Sequence, residues 1–311
     1  MKGRAFRGIR LARGLVLAGL LGIGSLGAYA DDVSRGDSAW RNRAAGERDG
    51  RPLADPTLEA IRSYEAALAA RPESLEARWK LLRALHFAGD FVLEDREERR
   101  RIFDRGRQVS EQGFELLARQ AGSGKRLDEL ESEALERRID AAGVSSNDVA
   151  RLYFWSAVNW GAWSRVVGLL GAVRQGVATR LHRDTQIAID LEPEYEEGGA
   201  FRLLGRLHAE LPRVPFLSGW VDRGQAIPLV ERAYAVAPAN PGNRLLLALT
   251  LLELAPERRA EALDLLRQVE GVTPRPSMQI EDLYARTEAR EKLAEEDAAF
   301  SKLRVQGKGA L

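Results

Sequence analysis

Ala226-Ile227-Pro228-Leu229-Val230-Glu231-Arg232-Ala233-Tyr234-Ala235-Val236-Ala237-Pro238 is the stretch on which the fold turns. Small Ala226, bulky Val230 four positions on and small Ala233 three further fall on one helix face, and Pro238 stops the helix. The same order returns at Ala60, Tyr64, Ala67 and Pro72. It returns again at Ala262, Leu266, Val269 and Pro274, with a larger third residue, and more loosely at Leu181, Thr185, Ala188 and Pro193. A small residue lets two helices approach, and the bulky one beside it fills the adjoining groove. Four such helices in one chain predict a stacked array.

Each of these segments resembles the second helix of a tetratricopeptide repeat, a helix–turn–helix unit of about 34 residues. First-helix positions agree at Leu81, Ala84 and Leu85, followed by Gly89-Asp90-Phe91 as the turn, and at Leu204-Gly205 with His208. The fold expected is all-α: an irregular tetratricopeptide-like helical repeat array, an α-α superhelix. Ala226 to Ala262 is 36 positions, close to one period, whereas Leu181 to Ala226 is 45. The excess falls on Leu211-Pro212-Arg213-Val214-Pro215-Phe216-Leu217-Ser218-Gly219-Trp220, read as an inserted loop with an apolar tip. Between Pro72 and Leu181 the period is lost in a long helical region broken at Gly122-Ser123-Gly124 and at residues 141–146. Ser145 with Asp148 three on resembles a capping box, with Asp a weaker closing residue than Glu.

The ends bound a single repeat domain over residues 56–300. Lys2, Arg4, Arg7, Arg10 and Arg13 precede an apolar run from Gly14 to Gly27, and Ala28-Tyr29-Ala30 has small-x-small spacing before Asp31. That layout is a cleavable signal peptide over residues 1–30 and predicts export to the periplasm. Left uncleaved, the same run would be an inner-membrane anchor, the alternative. Residues 31–55 read as a polar, partly extended segment, 280–300 as a final polar helix capping the array, and 301–311 as a flexible tail.

Charge and composition exclude several classes. The chain carries 47 basic and 46 acidic residues. Without residues 1–30 the balance is 42 against 46, so no electrostatic footprint for nucleic acid remains. Cysteine is absent, so there is no disulfide framework and no lipid-bearing cysteine behind the signal. His86, His182 and His208 form no ligand-spaced pair, so neither a metal nor a cofactor is expected. Gly122-Ser123-Gly124-Lys125 fails as a phosphate loop, because Arg119 stands where the first glycine belongs and Arg126 follows the lysine. No catalytic constellation emerges, and an enzyme is not predicted.

Leu152-Tyr153-Phe154-Trp155-Ser156-Ala157-Val158-Asn159-Trp160-Gly161-Ala162-Trp163 holds three of the six tryptophans. Downstream stand Glu192-Pro193-Glu194-Tyr195, then Gly198-Gly199-Ala200-Phe201, and then the inserted loop. Over residues 148–275 this order resembles the T-component family, helical-repeat proteins associated with tripartite ATP-independent periplasmic (TRAP) transporters. The resemblance implies an all-helical periplasmic protein with an apolar cavity, working beside a substrate-binding subunit. Many members of that family carry a lipid on cysteine, which this chain lacks.

Two functions follow. In the first, a non-enzymatic transporter accessory, Tyr153, Trp155, Trp160 and Trp163 line an apolar small-molecule site with Phe216 and Trp220 at its rim; the competing account is that the indoles only pack a helix junction. In the alternative, a general periplasmic repeat scaffold holds a protein or peptide partner through Trp79, Arg83 and His86, with no small molecule. The apolar loop tip also raises self-association into a homo-oligomer.

Overall fold

The computed structural model describes the backbone of residues 14–215 and 218–308. Lys2 to Arg13 of the predicted signal, Phe216 and Leu217 at the loop tip, and residues 309–311 lie outside the described residues. Among those described, thirteen α-helices and no strands are found.

Through most of the chain each helix packs on the next, as the repeated pattern requires. Helix α1 (Gly14–Arg41) packs on α2 (Ala54–Ala70), which pairs with α3 (Leu75–Phe87). Long α4 (Arg96–Gln120) and short α5 (Ser132–Ala141) lead to α6 (Ser146–Val167). Helices α7 (Leu169–Arg174), α8 (Val177–Leu191) and α9 (Tyr195–Glu210) follow. The array finishes with α10 (Ala226–Val236), α11 (Pro241–Leu254), α12 (Arg259–Glu270) and α13 (Gln279–Lys308). All four copies of the small-bulky-small pattern are buried: Ala60, Tyr64 and Ala67 on α2; Leu181, Thr185 and Ala188 on α8; Ala226, Val230 and Ala233 on α10; Ala262, Leu266 and Val269 on α12. The breaks also fall where glycine and serine mark them, with α4 ending before Gly122 and α6 opening after Ser145.

Caps explain the helix starts. Ser74 Oγ accepts from the Ala77 amide at 3.0 Å to open α3. Asn240 Oδ1 accepts from Gly242 and Asn243 to open α11, with Pro241 in the first turn. Ser145 caps α6 by accepting from the Asp148 amide at 3.2 Å. The Asp148 carboxylate does not close a box, because it accepts the Trp79 indole N–H instead.

The N-terminal segment differs from its sequence reading. Helix α1 runs on through Ala28-Tyr29-Ala30 and the polar residues beyond to Arg41. Val33, Gly36, Asp37 and Trp40 stand at i, i+3, i+4 and i+7, a helix stripe. Gly36 lies under the Tyr64 ring, where a Cβ would collide with it. Asp37 is held by the Tyr64 hydroxyl and by Lys80, each at 2.8 Å. Ion pairing keeps this polar stripe against α2 and α3. At the other end α13 continues to Lys308, past the start of the expected flexible tail, through the helix-favouring Lys302-Leu303-Arg304. Among the described residues, no helix is long and apolar enough to cross a membrane.

The array curls until its ends touch. Arg43, 4% exposed, donates to Glu281 from Nε (3.2 Å) and Nη2 (2.9 Å), and to the Ser277 carbonyl. Gln279 donates to Glu47 at 3.1 Å, and the Phe91 and Tyr284 rings meet edge to face at 6.0 Å. The final helix therefore caps α11 and α12 with Ile280, Ala285 and Ala289 and also closes on the N-terminal repeat.

Candidate interaction cleft

Three helices wall a cleft of about 400 Å³. Helix α1 supplies Asp37, Trp40 and Arg41; α3 supplies Glu76, Trp79, Lys80 and Arg83; α6 supplies Asp148 and Arg151. The α3 residues share one face because they stand at i, i+3, i+4 and i+7. Trp79 is nearly buried, with its N–H fixed on Asp148 at 2.8 Å. Trp40 is half-buried and carries two guanidinium groups against its ring, Arg43 at 4.3 Å and Arg83 at 4.2 Å. Both guanidinium groups are within cation–π range of the indole.

The cleft's charges are mostly neutralised. Lys80 binds Asp37 at 2.8 Å and Glu76 at 2.7 Å. Arg151 grips Glu192 through two bonds of 3.0 and 2.7 Å while resting on the Trp79 and Tyr195 rings. Arg83 lies 5.3 Å from the Trp79 ring centre, and its Nε is buried without a partner.

Tyr195 reaches this wall from a left-handed turn. Glu196 (φ 50°, ψ 40°), Glu197 (φ 56°, ψ 46°) and Gly198 (φ 80°, ψ 27°) form three successive left-handed residues at the start of α9. For a non-glycine residue this costs about 1–2 kcal/mol. Arg202 offsets the cost by donating to the Glu196 and Glu197 carbonyls at 2.9 and 3.0 Å, and to Asn243 at 2.6 Å. Gly198 is required twice, by its positive φ and because a Cβ would press the Ala233 backbone at 3.1 Å. The turn aims Tyr195 at Trp79 (6.2 Å) and Phe154 (5.5 Å), with its hydroxyl accepting the Trp155 N–H at 2.8 Å. Burial pushes the Tyr195 phenol well up, so it stays protonated.

Of the residues singled out in the sequence, Trp79 and Arg83 are brought together in the cleft. His86, one turn on, lies outside its lining, 3.7 Å from Asp90 and tilted against Trp155 at 5.8 Å. The tryptophan helix α6 is enclosed by α3, α4 and α8. Tyr153 is 1% exposed, Trp155 8%, Trp160 3% and Trp163 6%, so none presents an open face. Trp160 sits between Arg107 (4.1 Å) and Arg180 (4.4 Å), and Trp163 donates to Asp104 at 2.8 Å. Trp155 points the other way, to His86 and Tyr195. The six-residue wall drawn from sequence is thus divided in the structure, with Phe216 outside the described residues and Trp220 elsewhere. Trp40, Asp37, Lys80, Asp148 and Arg151 were missed by sequence reasoning; the stripe at 33, 36, 37 and 40 is the signal that could have found the first two.

Trp220 packs with two histidines. It stacks on His182 at 4.3 Å and meets the edge of His208 at 5.2 Å, while His208 Nδ1 accepts from the Asp222 amide at 3.0 Å. Burial lowers both histidines; facing His208 lowers His182 further, and Asp222 partly opposes the effect on His208. A depressed folded-state value favours the neutral ring, so this stabilisation is complete above the ordinary 6.5 and is lost as pH falls from there toward the folded-state values. Thermal melts should therefore show acid weakening below about pH 6.5 that shrinks in a His182→Gln/His208→Gln double variant. An unchanged pH slope in that variant would refute the assignment.

No protein-family model and no curated protein matches the chain. Among solved structures it is similar to the crystal structure of yeast Tom70, at 13% identity and a TM-score of 0.24, over 89% of this chain and 67% of that one. A superposition at that score decides neither fold nor role, and the repeat architecture rests on the helix pairing described above.

Proposed function

We propose that this protein is an exported helical-repeat scaffold that seats a segment of a protein partner in the cleft between α1, α3 and α6. The observation that carries this reading is the cleft's composition: the half-buried Trp40 indole and the Arg83 guanidinium at one mouth, backed by buried Trp79 and ringed by paired charges. Aromatic and arginine side chains in a polar rim are the usual anchors of protein recognition. The apolar small-molecule reading has less support, since the four α6 aromatics are buried and the Trp155 and Trp163 N–H groups donate to Tyr195 and Asp104, although the buried Trp160 N–H has no partner.

The resemblance to the T-component family supports a finer version, in which the partner is the substrate-binding subunit of a TRAP-type transporter and both work in the periplasm. The test is affinity capture from periplasmic extract with the full chain expressed from its own leader. A substrate-binding subunit retained by the wild type and lost in Trp40→Ala, with circular dichroism unchanged, is the expected result. A captured set indifferent to Trp40→Ala sinks the docking reading; a different partner lost with Trp40→Ala sinks only the transporter version.

A further inference from the structure

Every cation lining the cleft has a carboxylate partner except two. Lys80 is held by Asp37 and Glu76, and Arg151 by Glu192. Arg83 and Arg41 have no carboxylate within ion-pair distance among the described residues. Arg41 is exposed at the mouth, which leaves its charge to water. Arg83 is different: it is half-buried on α3, 4.2 Å from the Trp40 ring centre and 5.3 Å from that of Trp79, with Nε cut off from solvent. A partly desolvated guanidinium without an anion is costly to maintain. One of its donors has the neutral Tyr64 hydroxyl as partner, and the donors that remain suit a planar carboxylate.

We propose that Arg83 is the anchor for a carboxylate on an acidic segment of the partner, with Arg41 as a second, solvent-exposed contact. This rests on the docking reading above and names the chemistry of what docks. The exposed part of Trp40 gives the segment's aliphatic stems apolar contact beside the anchored group. Asp37, Glu76 and Asp148 on the same walls disfavour a more highly charged anion such as a phosphate, so a singly charged group fits better. Arg43 also lies against Trp40, at 4.3 Å from its ring centre, and sits in the contact between the chain's two ends. The anchor's geometry therefore depends on that closure.

The experiment is calorimetric titration of the full chain with a blocked pentapeptide carrying one central glutamate. The same peptide with glutamine in place of glutamate, and free glutarate, serve as comparators. Saturable binding of the glutamate peptide is expected, weakening at least about tenfold in Arg83→Gln and for the glutamine peptide, the size of one charge-assisted bond. Arg83→Lys keeps the charge but not the fork and should fall between. Arg258→Gln, remote from the cleft, should bind like the wild type. No saturable binding to the wild type overturns the proposal, as does equal binding by a folded Arg83→Gln. Glutarate binding as tightly as the peptide overturns the peptide source in favour of a free organic acid. In the capture experiment, a partner lost with Trp40→Ala but kept with Arg83→Gln overturns the carboxylate anchor and leaves the docking reading standing.

Discussion

Glu281→Ala should destabilise the fold by about 3 kcal/mol, far more than loss of an ordinary surface ion pair. Arg43 is the reason. Its guanidinium is 5% exposed, against 25% for the Glu281 side chain, so removing the carboxylate leaves the more deeply buried charge behind. The carbonyls of Trp40 and Ser277 and the Trp40 and Phe87 rings still hold the guanidinium, which places the loss at the low end for a buried pair. Urea unfolding of wild type and Glu281→Ala measures it directly. Arg290→Ala, which breaks the exposed Arg290–Glu270 pair near the same helix, should change stability by less than about 1 kcal/mol. Equal effects from the two variants would show that the end-to-end contact contributes nothing special.

Trp160→Ala should cost more, about 4 kcal/mol. The indole is 3% exposed and its removal opens a cavity in the middle of α6 that enclosing helices cannot fill by small shifts. It also strips Arg107 and Arg180 of the ring between them, worth about 1 kcal/mol for each cation–π contact. Trp40→Ala, at a half-exposed position, should cost clearly less. Unfolding curves of the two variants separate the roles: a stability anchor at Trp160 and a binding wall at Trp40. If Trp160→Ala instead left stability unchanged while a bound apolar molecule disappeared, the α6 indoles would be the wall of a ligand site.

The repeats were legible because their signal is local. Ala60, Tyr64 and Ala67, or Ala226, Val230 and Ala233, declare a helix face within eight residues, and proline marks its end. Helix α1 beyond Ala30 was not legible from composition, because its inward stripe includes a glycine and a carboxylate: Asp37 sits there only because Tyr64 and Lys80 wait for it, 27 and 43 positions away. The cleft was half visible. Trp79 and Arg83 share α3, while Trp40 and Arg151 arrive from helices that meet α3 only after folding. The tryptophan segment left core and cavity both open for a related reason. A run of indoles marks a helix rich in apolar surface, but whether one face stays open depends on how many neighbours surround it, and α6 has three on its long sides. The contact between Arg43 and Glu281, 238 positions apart, leaves no trace in any local pattern.

Closure of the array makes its length a fixed quantity. In an open solenoid each unit answers only to its neighbours, so a repeat can be gained or lost at either end with little penalty. Here the first and last units are also neighbours, and adding or deleting one would carry Arg43 past Glu281. The chain can vary in its inserted loop and its tail, but its number of turns is set by the need to meet itself.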